Sequence, residues 1–201
     1  MLRLGARLLG VIREQLDARP EDARWVPRGL NQEILALRCS DSSGTMWSTG
    51  RMTRKTLTPP DFDVPDPPDH PKFRFEPLGP EHNVADLDAW SSSIDHIHAT
   101  PGFRPDGWPE RRYTLAENMA DLEEHRDHHR RRIDFAWTVL DRADPGVVIG
   151  CVYLKPDPTG VADAEARSWV RADRVGLDHE LRDHLRPWFT SRWPISVRYA
   201  P

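Results

Sequence analysis

The sequence predicts one mixed α/β domain, with a strand, two helices, three strands, a helix and a last strand in that order. Three stretches carry this prediction. Residues 72–78 alternate between apolar and charged side chains, as a half-buried strand does. Residues 147–154 are an almost continuous apolar run, which is typical of a central strand covered on both faces. Residues 163–193 begin with strand alternation and continue with helical spacing, so they indicate a strand, a short loop and a helix.

Composition limits the function classes. The chain has 201 residues, 38% hydrophobic and 30% charged, which suits one domain with an appendage. The formal net charge of −4 argues against a nucleic-acid-binding protein. Cys39 and Cys151 are the only cysteines, which excludes a disulfide framework and a cysteine-rich zinc site. No apolar run is long enough to span a bilayer, so we expect a cytoplasmic protein without membrane contact.

Two segments precede the predicted domain, which covers residues 72–201. Residues 1–51 are interpreted as an N-terminal extension, either a docking helix or a poorly ordered segment, in preference to a membrane-surface or targeting helix. An alternative is that translation starts at Met52 and the extension is not native. Residues 52–71 hold six prolines, which favour an extended arm. A spacer is expected, and binding to an aromatic groove of a partner is the alternative.

The remaining elements follow from local signals. Thr114 and Glu117 form a capping box at the start of the second helix. Asp178 is the predicted N-cap of the last helix, and Pro187 predicts a kink within it. The predicted strands are 72–78, 134–140, 147–154, 164–171 and 194–199, and the predicted helices are 81–97, one from 114 onwards, and 178–193.

The run Trp169-Val170-Arg171, the loop that contains Gly176-Leu177 and the amphipathic helix that follows resemble the acetyl-CoA motif of the GCN5-related N-acetyltransferases. The order of elements over residues 73–199 is similar to the core of the same family. The resemblance implies an acyl-CoA N-acyltransferase-like mixed sheet. That family usually continues with a further helix and two more strands, so an abbreviated fold is expected here.

The resemblance also implies acetyl-CoA as co-substrate. In that family one strand parts from its neighbour to pair with the pantetheine arm, and a glycine-rich loop binds the diphosphate through backbone N–H groups. Asp178 stands where the family has a further glycine, and its carboxylate would repel a diphosphate, so the loop is degenerate. The residues that the resemblance assigns to acetyl-CoA are Trp169, Val170, Arg171, Arg174, Gly176 and Leu177.

Acetyl transfer to an amine needs a base, a hydrogen-bond donor to the oxyanion and an acid for the leaving thiolate. The resemblance implies that a backbone N–H of Trp169 or Val170 polarises the thioester carbonyl. Glu165 is the candidate base and Tyr199 the candidate acid. The alternative for Glu165 is a solvent-facing strand residue paired with an arginine.

Residues 100–113 form a long loop between the first two predicted helices, where that family shapes its acceptor site. Phe103, Trp108 and Tyr113 are therefore the candidate residues for binding a small-molecule or protein amine. The alternative is that these aromatic side chains pin the loop to the core.

His125, His128 and His129 invite a metal interpretation, but the run around them is dense in arginine, which repels cations. A solvated helix face is expected, and no metal. Two functions remain open at this point. The chain is an N-acetyltransferase, or it is a non-catalytic module of the same fold that binds a partner or another ligand.

Overall fold

A computed structural model of the protein describes residues 55–109 and 113–200. The predicted extension, residues 1–51, and Cys39 lie outside these ranges. No helix in the described ranges is long and apolar enough to cross a membrane.

A five-stranded sheet lies at the centre of the described domain, with the strands in the order of the sequence. The first four strands pair antiparallel and the last two pair parallel. The strands are β1 Phe73–Pro77, β2 Phe135–Asp141, β3 Val148–Pro156, β4 Ala164–Val170 and β5 Val197–Tyr199. The helices are α1 Asn83–Ser91, α2 Ile94–Ala99, α3 Leu115–Arg131 and α4 Asp178–Arg192, and two 3-10 helices cover Pro80–His82 and Ala172–Leu177.

The predicted order of elements is confirmed, and so is the fold class. β4 and β5 are parallel neighbours joined by α4, which is the kind of crossover that a parallel pair requires. The capping box of α3 is present, because Thr114 Oγ1 accepts from the Glu117 N–H and the Glu117 carboxylate accepts from the Thr114 N–H. α4 continues through Pro187 to its end as one helix.

The first predicted helix is divided in two. α1 ends at Ser91 and α2 begins at Ile94, because Ser92 and Ser93 interrupt the helical hydrogen bonding. Ser92 Oγ donates to the Ala89 carbonyl at 3.1 Å, the kind of local bond by which serine competes with a helix. Ser93 Oγ accepts from the backbone N–H of Ala172 at 3.1 Å, so the break also fixes the chain after β4.

Two apolar cores cover the two faces of the sheet. On one face α4 packs its buried side chains, Leu181, Leu185, Trp188 and Phe189, against residues such as Ala164, Ala166 and Val170. On the other face α1, α2 and α3 cover residues such as Cys151, Tyr153 and Trp169. The alternation predicted for β4 is thereby confirmed. We call these faces the α4 side and the α1 side.

The proline-rich arm lies against the α4 side. Leu57, Phe62 and Val64 are partly buried against that core. The Leu57 N–H donates to the Arg132 carbonyl at 2.6 Å, and His184 Nε2 lies 3.1 Å from the Pro68 carbonyl oxygen. The described part of the arm therefore adds apolar surface to the core.

Asp86 is a buried carboxyl group on α1. Its Oδ2 accepts from Asn118 Nδ2 at 3.1 Å, and Asn118 Oδ1 accepts from Trp90 Nε1 at 2.9 Å. Burial raises the pKa of Asp86 from 3.8 to about 7, the nearby Asp121 adds to the increase, and the bond from Asn118 opposes it. The folded protein therefore holds a proton on Asp86 that the unfolded chain loses near pH 4.

This difference predicts a pH-dependent stability. The contribution of the protonated Asp86 to the free energy of unfolding is fully present below pH 4 and is lost as the pH rises through about 7. Asp86→Asn removes the ionisation and keeps an oxygen for Asn118. We expect the variant to gain up to about 4 kcal/mol of unfolding free energy at pH 8, at 1.36 kcal/mol per unit of pKa, and little at pH 4. Urea unfolding at both pH values measures this. Asp183→Asn, at an exposed position of α4, is the control. An equal gain at both pH values would contradict the prediction.

Candidate functional site

β4 and β5 run side by side only over the first three residues of β4. Ala164 pairs with Val197, and Ala166 pairs with Tyr199. The Ala200 N–H donates to the Ala166 carbonyl at 2.8 Å, which is the last backbone bond between the two strands in the described ranges. β4 continues to Val170 in register with β3. The two parallel neighbours therefore part after Ala166, and we call the space between them the β4–β5 gap.

The hydrogen bonds on either side of β4 show which backbone groups face this gap. The Ala164 N–H donates to the Ser196 carbonyl, on the β5 side, at 3.1 Å. The Arg171 N–H, just after β4, donates to the Ile149 carbonyl on β3 at 2.8 Å. Because backbone groups alternate in direction along a strand, even-numbered residues of β4 direct theirs toward β5 and odd-numbered residues toward β3.

Ser168 and Val170 are the even-numbered residues of β4 beyond the parting point. Their backbone N–H and C=O groups face the β4–β5 gap, whereas those of Trp169 face β3. The sequence left Trp169 and Val170 open as donors to a thioester carbonyl. The alternation favours Val170.

Gly150 on β3 permits the course of β4 at this point. It lies opposite Val170, and a Cβ on Gly150 would come within 2.2 Å of the Trp169 carbonyl oxygen. The register between β2 and β3 shifts beside it, at Val139 and Leu140, as in a β-bulge. Glycine is thus the residue that lets β3 hold the far end of β4 so closely.

Tyr199 spans the parting strands on the α4 side. Its hydroxyl donates to Ser168 Oγ at 2.8 Å. Burial raises the pKa of Tyr199 to about 12, and the hydrogen bond with Ser168 opposes the increase. A simple thiol has a pKa of about 8.5, so complete proton transfer from this phenol to a thiolate is unfavourable. The hydroxyl is better suited to donate a hydrogen bond than to give up its proton.

Glu165 forms an ion pair with Arg198, its cross-strand partner on β5. Arg198 also donates to Asp157 from Nε and Nη2, both at 2.8 Å. The partner is an arginine, as the alternative interpretation of Glu165 expected. The role of Glu165 as a base stays a prediction.

The segment after β4 was expected to be a short loop, and it forms the 3-10 helix Ala172–Leu177. The Arg174 N–H donates to the Arg171 carbonyl at 2.8 Å, and the Asp178 N–H donates to the Val175 carbonyl. These bonds use N–H groups that a bound diphosphate would need. No atom lies within 4 Å of a Cβ built on Gly176, so packing does not require that glycine.

Asp178 is not the N-cap of α4, so that prediction is wrong. The N-cap is Leu177, which is partly buried. Its backbone is helical because the 3-10 helix leads directly into α4, whereas a side chain caps a helix from an extended backbone. The Asp178 carboxylate lies instead 3.1 Å from His96 Nε2 on α2, without a well-directed hydrogen bond. Burial raises the pKa of Asp178, and the charge of His96 opposes this.

Arg171 and Arg174, which the resemblance assigned to acetyl-CoA, lie beside carboxylates. Arg171 Nη1 donates to Asp88 at 2.8 Å, and its Nε is 3.4 Å from Asp173. Arg174 lies 3.6 Å from Asp173 and 3.8 Å from Asp141. Both arginines are therefore partly neutralised within the chain.

The predicted acceptor residues lie together on the α1 side. Tyr113 packs edge-on against Trp90, with ring centroids 5.1 Å apart, and Trp108 lies 6.2 Å from Trp169. Phe103 and Trp108 are partly buried, with centroids 6.3 Å apart. These contacts pin the loop to the core, as one of the two interpretations expected.

The same loop reaches the β4–β5 gap. A Cβ on Gly102 would lie 2.7 Å from Ala200 Cβ and 3.2 Å from Arg167 Cβ. Arg167 Nη1 also donates to the Gly102 carbonyl at 2.9 Å. Loop, β4 and the end of β5 thus meet at one point. Binding of an acceptor there stays a prediction.

The expectation of a solvated face is wrong for the three histidines of α3, which face the core. His128 Nδ1 lies 3.0 Å from Asp134 Oδ2, and burial lowers the pKa of His125 to about 3. Their neighbours Glu123 and Arg126 occupy the exposed face. No group of three metal-ligating side chains converges within the described ranges.

The structure adds Ser168, Arg167, His96 and Gly150 to the residues that the sequence singled out. Only Gly150 carried a local signal, as a glycine inside an apolar strand. The others depend on contacts between distant segments.

The sheet described above has the strand order and the parting parallel pair that the resemblance implied. The fold is acyl-CoA N-acyltransferase-like.

No protein-family model matches the chain, and no curated protein matches it. Among solved structures, the ribosomal-protein-S5-alanine acetyltransferase of Vibrio fischeri is similar at 12% identity and a TM-score of 0.47, over 60% of this chain and 63% of that one. An acetyltransferase of Trypanosoma brucei is similar at 14% identity and a TM-score of 0.36, over 64% of this chain and 82% of that one. The chain thus spans less than two thirds of the first protein's length. Likenesses of this degree do not identify a substrate.

The close approach at Gly150 predicts a large effect of a single methyl group. Gly150→Ala should lower the free energy of unfolding by about 3 kcal/mol, because the Trp169 carbonyl must move away. Gly146→Ala is the matched control, since its Cβ would meet nothing nearer than 3.7 Å. Urea titration of both variants measures the difference. Equal stabilities would show that β3 and β4 do not need this approach.

Proposed function

We propose that the protein is an acetyl-CoA-dependent N-acetyltransferase that acts on an amine acceptor. The observation that carries the proposal is the parting of β4 from β5. It directs the backbone groups of Ser168 and Val170 into the β4–β5 gap, where no other strand of the described ranges pairs with them. Unpaired backbone groups within a fold are costly, and an extended ligand with amide groups satisfies them as an added strand does. The pantetheine arm of acetyl-CoA is such a ligand.

In the proposed reaction the acceptor nitrogen attacks the thioester carbonyl, a C–N bond forms, and the C–S bond breaks. The Val170 N–H would donate to the carbonyl oxygen as its negative charge develops. The Tyr199 hydroxyl would turn its hydrogen bond from Ser168 to the departing sulfur, which takes its proton from solvent. The proton lost by the amine passes to water or to Glu165. The acceptor would approach from the α1 side, past Phe103, Trp108 and Tyr113.

The loop after β4 favours a second function. A diphosphate there would meet Asp178, Asp173 and Asp88, and the two nearby arginines are already paired. This arrangement favours a non-catalytic module that binds a partner or another ligand. If the protein does bind acetyl-CoA, most of the affinity would come from the pantetheine arm. A cytoplasmic location is proposed on the sequence alone, from its two cysteines and from its lack of an apolar run long enough to span a bilayer.

Calorimetric titration with acetyl-CoA and with acetyl-pantetheine, which lacks the diphosphate, tests this proposal. We expect both to bind with similar affinity, since the loop adds little for the diphosphate. Binding of neither ligand would overturn the transferase proposal and leave the non-catalytic module.

Asp178→Asn should strengthen the binding of acetyl-CoA by about two- to five-fold at low salt, and that of acetyl-pantetheine not at all. The reason is that one charge near a helix N-terminus is worth about 0.3–1 kcal/mol. Asp183→Asn makes the same charge change further along α4 and is the control. A variant that binds acetyl-CoA more weakly would show that the carboxylate does not face the diphosphate.

Glu165→Gln should lower the rate of acetyl transfer by less than about ten-fold. Arg198 already holds this carboxylate, and an amine would have to displace it. A positioned general base contributes about 10²–10⁴-fold, so the size of the loss distinguishes the two roles. Steady-state rates with a saturating amine give the value. A loss of a hundred-fold or more, with an unchanged melting temperature, would assign Glu165 as the base.

A further inference from the structure

Two cations lie beside one another on the α1 side of β3 and β4. Arg167 is the cross-strand partner of Tyr153, and Lys155 lies two residues further along the same face of β3. Lys155 Nζ lies 5.4 Å from the centroid of the Tyr153 ring, and Arg167 Cζ lies 5.7 Å from it. Arg167 Cζ is also 4.9 Å from the centroid of Phe103.

Within the described ranges, neither cation has a carboxylate oxygen within 4 Å of its nitrogen atoms. Glu165, which lies opposite Lys155, is held by Arg198 instead. Arg167 uses one N–H on the Gly102 carbonyl, and both cations are half-buried. A half-buried positive charge without a counter-ion is costly, so the pair is a place where an anion is stabilised.

The surroundings supply further donors. They also hold Asp134, where burial opposes ionisation but the bond with His128 and the charge of Lys155 keep the pKa below its usual value. Trp108 Nε1 is buried without a hydrogen-bond partner, and the Trp108 ring lies 6.2 Å from the Tyr153 ring. The His125 and Tyr153 ring centroids are 5.7 Å apart, and His125 is neutral at physiological pH because burial lowers its pKa to about 3. The site therefore combines two cations, an unused N–H donor and partly exposed aromatic rings.

Its position relates this surface to the β4–β5 gap. Arg167 stands between Ala166, the last residue of β4 paired with β5, and Ser168, the first residue that faces the gap. The Gly102 segment packs against Arg167 and Ala200 at the same point. An anion held by Arg167 would thus lie next to the place where the proposed transfer occurs.

We propose that the amine acceptor carries a carboxylate, as an α-amino acid with an apolar side chain does. The carboxylate binds Arg167 and Lys155, and the apolar part lies on the rings of Phe103 and Trp108. Arginine is suited to this because its planar donors match a carboxylate. The two cations repel an acceptor that is only positively charged, such as a polyamine. This inference rests on the proposed acetyl transfer and names its acceptor.

Binding is measured without acetyl-CoA, so that the result does not depend on the donor. The full-length protein is titrated with L-phenylalanine and with phenethylamine, which differ by the carboxylate, and chemical-shift changes are followed by NMR. We expect L-phenylalanine to bind at least ten-fold more tightly. Equal affinity, or tighter binding of phenethylamine, would overturn the proposal.

Variants assign the effect to the two cations. Arg167→Gln and Lys155→Gln should each weaken the binding of L-phenylalanine by about ten-fold and leave phenethylamine unchanged. Arg167→Lys keeps the charge without the planar donors, so its affinity for L-phenylalanine should fall between those of the unmodified protein and Arg167→Gln. Arg192→Gln, at the exposed end of α4, is the matched control and should bind as the unmodified protein does. Equal losses in all four variants would overturn the assignment.

The unmodified protein and Lys155→Gln decide the question even if Arg167→Gln does not fold. Tight, carboxylate-dependent binding without acetyl transfer would support the site and contradict the transferase function. Acetyl transfer to amines irrespective of a carboxylate would support the function and overturn this inference.

Discussion

The unequal length of two strand ladders opens the β4–β5 gap. β3 holds β4 from Ala164 to Val170, whereas β5 leaves it after Ala166. Had the two ladders been equal, the backbone groups of Ser168 and Val170 would have been used within the sheet. Gly150 is central to this difference, because any side chain there would push the Trp169 carbonyl away and loosen the far end of β4. The gap therefore follows from packing on β3 as much as from the end of β5.

The two approaches to the gap differ in charge. At the end of β4 the carboxylates of Asp88, Asp173 and Asp141 lie beside Arg171 and Arg174, and that of Asp178 lies beside His96. On the α1 side Arg167 and Lys155 lie over aromatic rings, and neither has a carboxylate within 4 Å in the described ranges. A ligand that carries negative charge is thus disfavoured from the first direction and favoured from the second. This polarity is the reverse of what a site dominated by a nucleotide diphosphate requires.

Local patterns in the sequence predicted the elements of the fold well, and predicted contacts between distant segments poorly. The alternation of residues 164–170 gave β4 and its two faces, and the helix that follows required a parallel partner. Nothing in the sequence around Asp178 indicates that its carboxylate contacts His96. The N-cap prediction relied on the local capping preference of aspartate and was wrong. The charge-rich run of α3 likewise concealed that His125 faces Tyr153, because burial depends on what the helix packs against.

The outer edges of the sheet bear on how the protein avoids pairing with other chains. β1 ends at Pro77, which has no N–H to offer, and Arg74 and Glu76 form an ion pair along it. β5 is only three residues long, and its central side chain, Arg198, is engaged by two carboxylates. Short, charged and proline-bearing edges are poor templates for edge-to-edge aggregation. The edges of the sheet thus discourage the addition of a foreign strand, and under the proposed function an extended molecule would pair only within the β4–β5 gap.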